Sequence, residues 1–147
     1  MDTIPQLILH RFSASADLPA IHIKENGEFQ PRTWRRVDED VRRYASAFLN
    51  LGISSGDRVA QFSENRYEWI ITDLALQLLG IVHVPIHATL SGEQVVHQVA
   101  HSGSSLLLVS QDVLRNKIGE TDLPDHCLLY TSPSPRDLST SRMPSSA

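Results

Sequence analysis

The sequence predicts an α/β fold in which a mainly parallel sheet follows an N-terminal β-hairpin. Residues 56–90 read in succession as a strand, an apolar helix and a second strand, and a further helix and strand follow through residue 109. Strands that alternate with helices pair in parallel through right-handed crossovers. Nearer the N-terminus, Asn26 and Gly27 separate two short strand-like runs, which is the strongest short-range hairpin signal.

The first part of the chain predicts a helix, the hairpin and a second helix. Residues 5–16 carry apolar side chains at helical spacing, and residues 20–23 and 28–30 flank the Asn-Gly turn. Thr33 is expected to cap the second helix and Gly52 to end it. The apolar positions of this second helix recur every three or four residues: Trp34, Val37, Val41, Tyr44, Ala45, Phe48 and Leu51.

The central unit begins with a strand over residues 58–62, after a Gly-Asp turn. Asn65 is expected to cap the next helix, Glu68 to complete a capping box, and Gly80 to end the helix in the left-handed conformation. This helix has little polar surface, so we expect it to be covered on more than one side. Residues 81–86 then form the second strand, which is β-branched and apolar.

The last predicted helix has the clearest start in the chain. Ser91 and Gln94 form a capping box, and the Ser102-Gly103 pair closes the helix. Residues 106–109 are a short apolar run typical of a buried strand. From Gln111 onward the pattern weakens, and the sequence leaves open whether a final helix or a loop follows.

Several motifs in this region resemble the adenylate-forming acyl-CoA synthetases, and most closely their long-chain fatty acid branch. They occur in the order typical of that family: Gly-Asp-Arg-Val at 56–59, Ser-Glu-Asn-Arg with Glu-Trp at 63–69, Gly-x-Val-x-Val-Pro at 80–85 and Thr-Leu-Ser at 89–91. The resemblance implies an N-terminal part of the family's large α/β domain.

The resemblance also implies a reaction and its cofactors. A fatty acid carboxylate attacks ATP and displaces pyrophosphate to form an acyl-adenylate. The thiol of coenzyme A then displaces AMP, and Mg²⁺ would neutralise the phosphates. In this family the phosphate loop, the nucleotide contacts, the magnesium-binding acid and the catalytic lysine lie downstream of the part that the motifs match. We therefore predict no catalytic, cofactor-binding or metal-binding residue in this chain.

The end of the chain resembles translated sequencing adapter. Residues 127–137 read CLLYTSPSPRD and residues 141–147 read SRMPSSA, which match two adapter blocks separated by an index-sized gap. A disordered Ser/Pro tail is the alternative interpretation. We therefore divide the chain into residues 1–126, an incomplete synthetase domain, and residues 127–147, an artefactual disordered tail.

Charge and cysteine content exclude several classes of function. Without the tail, 13 basic and 17 acidic residues become 11 and 16, a net charge of −5, which does not favour nucleic acid or an anionic membrane. The one cysteine, Cys127, lies in the tail, so residues 1–126 contain no disulfide or catalytic thiol. The N-terminus predicts no signal peptide or membrane span, so we expect a cytoplasmic protein with at most peripheral membrane contact.

Three polar groups have a chemical interpretation and a simpler alternative. His83, His87, His97 and His101 could form a zinc site, but no cysteine or matching acid accompanies them, and ordinary histidines are favoured. The arginines of residues 35–43 could bind phosphate, but the acids among them favour a solvated face with internal ion pairs. Residues 102–105, SGSS, end a helix, whereas a phosphate loop opens one.

The sequence thus predicts a fragment of a long-chain fatty acid–CoA ligase that is inactive alone and lacks the remainder of its domain. One alternative is a non-catalytic α/β binding or interaction module. Another is a member of the same superfamily that activates aryl or amino acids.

Overall fold

The computed structural model describes residues 2–118 and 122–131, and it has the predicted α/β architecture. The helices are α1 (Ile4–Ala14), α2 (Trp34–Asn50), α3 (Tyr67–Leu78), α4 (Gly92–Ser102) and α5 (Asp112–Arg115). The strands are β1 (Pro19–Glu25), β2 (Glu28–Thr33), β3 (Arg58–Ser63), β4 (Val82–His87), β5 (Leu106–Val109) and β6 (Leu128–Thr131). Within the described residues, no helix is both long and apolar enough to cross a membrane.

Strands β1 and β2 form the predicted antiparallel hairpin, a two-stranded sheet of its own. Asn26 and Gly27 have φ values of 52° and 87°, as a turn with two left-handed residues requires. Asparagine tolerates this conformation better than most residues, and glycine has no Cβ to oppose it. The hairpin prediction is confirmed.

The second sheet is parallel and has the strand order β4-β3-β5-β6. The chain goes from β3 to β4 on one side through α3, then returns past β3 to β5 through α4. The next connection leaves β5 on the other side, toward β6, so the direction of the connections reverses between β3 and β5. Helices α3 and α4 cover opposite faces of the sheet, and each face has its own core cluster.

Helix α2 buries four of the seven predicted positions on the side that α1 and α3 also cover, and Trp34, Ala45 and Leu51 are partly buried. Thr33 caps it, with its Oγ1 accepting from the N–H of Arg36 at 3.3 Å. The buried side chains are Val37, Asp40, Val41, Tyr44, Ala47 and Phe48. One of the six, Asp40, is an acid that we had expected on a solvated face.

Helix α3 differs from its prediction at its start. Arg66, and not Asn65, is the N-cap, and it makes no capping hydrogen bond through its side chain. The Glu68 carboxylate accepts from Arg66 Nε at 2.8 Å, so the predicted capping box is wrong. The helix is covered on more than one side, as predicted, because α1, α2 and β4 all contact it. Ile70 remains 38% exposed. Gly80 follows the helix at φ 68°, as predicted.

Helix α4 agrees with its prediction. The Ser91 hydroxyl accepts from the N–H of Gln94 at 3.3 Å, and the Gln94 side-chain oxygen accepts from the N–H of Ser91 at 3.0 Å. Gly103 ends the helix in the left-handed conformation, at φ 65°. The predicted capping box and glycine stop are both confirmed.

Strand β6 lies inside the segment that we predicted to be a disordered tail. It pairs in parallel with β5, with Leu106 opposite Leu128 and Val109 opposite Thr131. Residues 128–131 therefore differ from that prediction, because they add an apolar strand to the edge of the sheet. Residues 132–147 lie outside the described residues, and their adapter origin stays a prediction.

Candidate functional site

The reversal of strand order marks the position where a ligand is expected. In open α/β sheets, ligands bind beyond the carboxyl ends of the strands at a topological switch point. Here that point lies between β3 and β5. Residues 63–66 leave the end of β3, and Ser110 leaves the end of β5. These polar residues form the candidate site.

Hydrogen bonds close the candidate site across the two strand ends. The Ser110 N–H donates to the carbonyl of Phe62 at 3.2 Å, and its hydroxyl donates to Glu64 Oε2 at 2.8 Å. Arg66 Nη1 donates to the carbonyl of Ser110 at 3.2 Å while its Nε donates to Glu68. The charged and polar groups at the switch point therefore already bind one another.

The space beneath this cluster is small. A cavity of about 30 Å³ lies on the α2 and α3 side of the sheet, lined by Tyr44, Gln61, Arg66, Thr72, Leu108, Val109 and Ser110. Sites for small molecules and cofactors have volumes of about 300–1,000 Å³. This cavity therefore admits a solvent molecule and no nucleotide.

Asp40 connects helix α2 to the start of α3 beside the candidate site. It is 1% exposed and accepts from Tyr67 Oη at 2.9 Å, from Arg36 Nε at 3.1 Å and from Arg43 Nη1 at 3.1 Å. Burial, followed by this hydrogen bond and the charge of Asp40, raises the pKa of Tyr67 above its ordinary range. The contact fixes Tyr67, the first residue of α3, against α2.

The arginine cluster of residues 35–43 is paired with acids, as the favoured interpretation predicted. Besides the two arginines on Asp40, Arg42 pairs with Asp38 at 2.6 Å and Arg35 pairs with Asp17 at 2.7 Å. Each arginine thus has a carboxylate partner. The face of α2 that carries these ion pairs is exposed to solvent, whereas Asp40 is buried.

A larger groove of about 540 Å³ lies between β1 and the first turns of α3. Ile21, Ile23, Trp69 and Ile70 supply much of its apolar wall, and Lys24 lies at its edge. Asn65 and Arg66 of the candidate site also line it. It is a surface groove with one partly exposed aromatic wall.

The four histidines of the imagined zinc site are not brought together. The His83 side chain, 7% exposed, lies between Asp73, at 2.8 Å from its Nδ1, and Gln61, at 2.9 Å from its Nε2. His97 and His101 are exposed, with ring centroids 6.0 Å apart on α4. Over residues 2–118 and 122–131, no three or more His, Cys, Asp or Glu side chains form a group that could hold a metal.

Two features of the candidate site were missed in the sequence, and both had a signal. Ser63 to Arg66 and Ser110 follow buried strands directly, which places them at one edge of a parallel sheet. Asp40 lies three residues after Val37 and four before Tyr44, so it occupies the buried stripe of α2. The partners of these residues come from other elements and have no such signal.

Both the sequence and the fold of the chain are similar to those of known proteins. The family model described as "AMP-binding enzyme" matches residues 10–145, a range that includes most of the adapter-like segment. A solved structure of a Mycobacterium tuberculosis fatty acyl CoA synthetase superposes with a TM-score of 0.79 at 25% identity, covering 94% of this chain and 28% of that one.

Curated relatives point to the same group of enzymes. The long-chain-fatty-acid–CoA ligase FadD15 of Mycobacterium bovis is 35% identical over 95 residues, which are 65% of this chain and 16% of that protein. A crotonobetaine/carnitine–CoA ligase of Salmonella paratyphi B is 37% identical over 78 residues, 53% of this chain and 15% of its own length.

A third relative is much shorter. An uncharacterized protein of Mycobacterium tuberculosis is 29% identical over 99 residues, which are 67% of this chain and 57% of that protein. The chain thus spans about one sixth of the two ligases and over half of this relative. The match of the family model over nearly the whole chain shows that this protein belongs to the AMP-binding enzyme family.

Proposed function

We propose that this chain is the N-terminal part of a ligase that joins a long-chain fatty acid to coenzyme A. The complete enzyme would use ATP and Mg²⁺ to form an acyl-adenylate and would then transfer the acyl group to the thiol. The observation that carries this proposal is the family match, together with a fatty acid–CoA ligase at 35% identity. We place the complete enzyme in the cytoplasm, with at most peripheral membrane contact.

We further propose that the 147-residue chain has no ligase activity of its own. Transfer of an adenylyl group depends on positioned groups that stabilise the phosphate charges. At the switch point, Arg66 is already bonded to Glu68 and Ser110, and the cavity beneath it is about 30 Å³. These contacts support a role for the chain as a scaffold on which the rest of the domain packs.

A second candidate is a small non-catalytic module with the same fold. The short relative supports it, because the match covers 57% of that protein against 16% of the ligase FadD15. Strand β6 also supports it, since β6 extends the sheet beyond residue 126 and covers part of β5. The partly exposed Ile70 argues for further covering segments.

The test that separates the two candidates is sequencing of the source DNA across the codon for His126, with primers outside the library adapter. The proposal expects an open reading frame that continues into a Ser/Thr/Gly-rich loop. A genomic sequence that encodes residues 127–147 and then stops would overturn the fragment and adapter interpretations, and the module would replace them.

The acyl substrate is tested on the restored protein. We expect ATP–pyrophosphate exchange to depend on long-chain fatty acids, and to be much weaker with carnitine or aryl acids. Exchange that is fastest with carnitine would favour the substrate of the Salmonella relative. Fastest exchange with an aryl acid would favour the other alternative, and in both cases the long-chain assignment would be wrong.

A further inference from the structure

Two histidines of helix α4 lie side by side on its exposed surface. His97 and His101 are four residues apart, and both are exposed. Side chains at this spacing occupy one face of a helix, with Cβ atoms about 5–6 Å apart. The two imidazole rings are nearly parallel, with an interplanar angle of 13° and centroids 6.0 Å apart. The rings are therefore close enough to bind one small ligand together.

Neither of these rings is held by a polar contact within the fold. Among the described residues, neither ring takes part in a hydrogen bond or an ion pair. His83 is the contrasting case, because Asp73 and Gln61 lie 2.8 and 2.9 Å from its two ring nitrogens. The ring nitrogens of His97 and His101 are thus available to a ligand from solution, whereas those of His83 are not.

The surface beside the pair is open and carries a negative charge. His97 lines a groove of about 690 Å³ together with Glu93, which is exposed and lies one helical turn earlier on the same face. A carboxylate in this position attracts cations to the face. Within the described residues, however, Glu93 does not join the two histidines in a group that could hold a metal. The two imidazoles are therefore the ligand set.

We propose that His97 and His101 form a two-ligand surface site for a divalent transition-metal ion, with Cu²⁺ bound more tightly than Ni²⁺ or Zn²⁺. Imidazole nitrogen is a suitable ligand for all three ions, and a given set of nitrogen ligands binds Cu²⁺ most strongly. In such a site a ligating nitrogen lies about 2.0–2.1 Å from zinc. Exposed side chains reach this geometry by rotating about their own bonds, within picoseconds to nanoseconds.

This site differs from the zinc site considered in the sequence and from the magnesium of the proposed function. The sequence favoured ordinary histidines because no cysteine or matching acid accompanies them, but a two-ligand site needs neither. Structural zinc sites have four protein ligands and catalytic ones have three, so a site with two holds its ion reversibly and leaves positions open. Mg²⁺ prefers oxygen ligands, so the imidazole pair does not select it.

Titration of the untagged 147-residue chain with copper(II) sulfate, followed by isothermal calorimetry, tests the proposal. We expect one Cu²⁺ to bind more tightly than any further ion. His97→Gln and His101→Gln should each weaken this binding at least about tenfold, because the second imidazole no longer binds within the same molecule. His10→Gln is the matched control, since His10 is exposed on α1 and has no histidine three or four residues away. It should leave the affinity unchanged.

A double variant separates the spacing of the histidines from their number. Gln98→His combined with His101→Gln keeps two histidines on α4 but places them at adjacent positions, which do not face each other on a helix. We expect this protein to bind Cu²⁺ as weakly as His101→Gln does. An excess of Mg²⁺ should not displace Cu²⁺ from the wild type.

Four results would overturn the proposal: no tight Cu²⁺ site in the wild type, wild-type affinity in either single variant, wild-type affinity in the double variant, or an equal loss in His10→Gln. Circular dichroism checks that each variant keeps its helix content. If one single variant fails to fold, the other removes the same pair. None of these readouts depends on ligase activity, so a failure here is distinguishable from a failure of the proposed function.

Discussion

Helices α3 and α4 are both crossover connections of the parallel sheet, with 12 and 11 residues, yet they begin for different reasons. The start of α4 is specified within four consecutive residues, because the side chains of Ser91 and Gln94 each accept a hydrogen bond from the other residue's backbone N–H. The start of α3 has no such cap. Its first residue, Tyr67, is instead held by the buried Asp40 of another helix.

This difference separates local from tertiary specification of a helix end. A capping box needs only residues three apart, so it forms wherever the backbone turns into the helix. The contact between Tyr67 and Asp40 spans 27 positions in the sequence and forms only after α2 and α3 pack together. We expect α4 to tolerate changes elsewhere in the fold better than α3 does.

The largest effect on stability is expected in α4, whose start is specified locally but whose first residue, Gly92, is also constrained by tertiary packing. A Cβ added at Gly92 would lie 1.6 Å from the carbonyl oxygen of Lys117. We expect Gly92→Ala to lower the free energy of unfolding by about 3 kcal/mol, since the backbone must move to relieve the overlap. Urea unfolding followed by tryptophan fluorescence measures it.

The matched control for Gly92→Ala is His97→Ala, at an exposed position of the same helix. It should change the free energy of unfolding by less than about 0.5 kcal/mol. Equal effects of the two substitutions would show that the close approach of residue 117 to α4 does not constrain the helix.

The next effect concerns the buried acid that holds α3. We expect Asp40→Ala to cost about 2 kcal/mol, because the Tyr67 hydroxyl and two arginines lose a buried acceptor. Asp38→Ala is the matched control, since Asp38 pairs with one largely exposed arginine, Arg42, on the same helix. It should cost less than about 1 kcal/mol.

The same urea titrations compare the two variants, with helix content followed by circular dichroism. If Asp38→Ala were as damaging as Asp40→Ala, the special role of the buried acid in starting α3 would be refuted.

Alkaline pH should weaken the packing of α2 against α3. Burial, with smaller contributions from Glu68 and Asp40, raises the pKa of Tyr44 in the folded protein. The contribution of Tyr44 to the free energy of unfolding is complete below about pH 10, the pKa of a tyrosine in the unfolded chain. Above that pH the contribution decreases, because the tyrosine ionises in the unfolded chain before it ionises in the folded protein. The free energy of unfolding should fall by up to about 1.4 kcal/mol per pH unit there.

Urea titrations at several pH values near and above about 10 test this dependence. In Tyr44→Phe the slope should be smaller, and the remaining slope should include the contribution of Tyr67, whose pKa is also raised. A slope that is unchanged in Tyr44→Phe would contradict the assignment to this residue.

The smallest effect sharpens the comparison of the two helix starts directly. Ser91→Ala removes the cap of α4 and should cost about 1 kcal/mol. Asn65→Ala removes the cap that the sequence predicted for α3 but that the structure does not use, and it should cost less than about 0.3 kcal/mol. Reversed magnitudes in denaturant unfolding would mean that Asn65 caps α3 after all.

The same contrast explains how much of the fold could be predicted. The hairpin at Asn26, the buried stripe of α2 and the start of α4 were predicted because turns, stripes and caps depend on neighbours in sequence. The start of α3 was predicted wrongly because its Ser-Glu-Asn-Arg sequence offers several caps. The contacts that accompany the observed start join distant segments: Arg66 with Ser110, and Tyr67 with Asp40.

The candidate site could be predicted only in part. Polar residues after β3 and β5 indicate a carboxyl edge, but the order β4-β3-β5-β6, which brings those two ends together, depends on sheet pairing. Strand β6 was missed because its short apolar run, Leu128 to Thr131, lies in a sequence that resembles an adapter. Its pairing with β5 has no signal in local composition.

The sequence by itself contains the family motifs and determined the alternation of strands and helices. It also determined the turns and helix caps that residues close in sequence form, such as the Asn26-Gly27 turn and the capping box of Ser91 and Gln94. Only the tertiary structure decided which strands are adjacent, that Asp40 is buried, and that Arg66, Glu64 and Ser110 close the switch point. The physical reason is distance along the chain. Local hydrogen bonds are specified by residues a few positions apart, whereas a buried pair or a sheet register depends on the packing of distant segments.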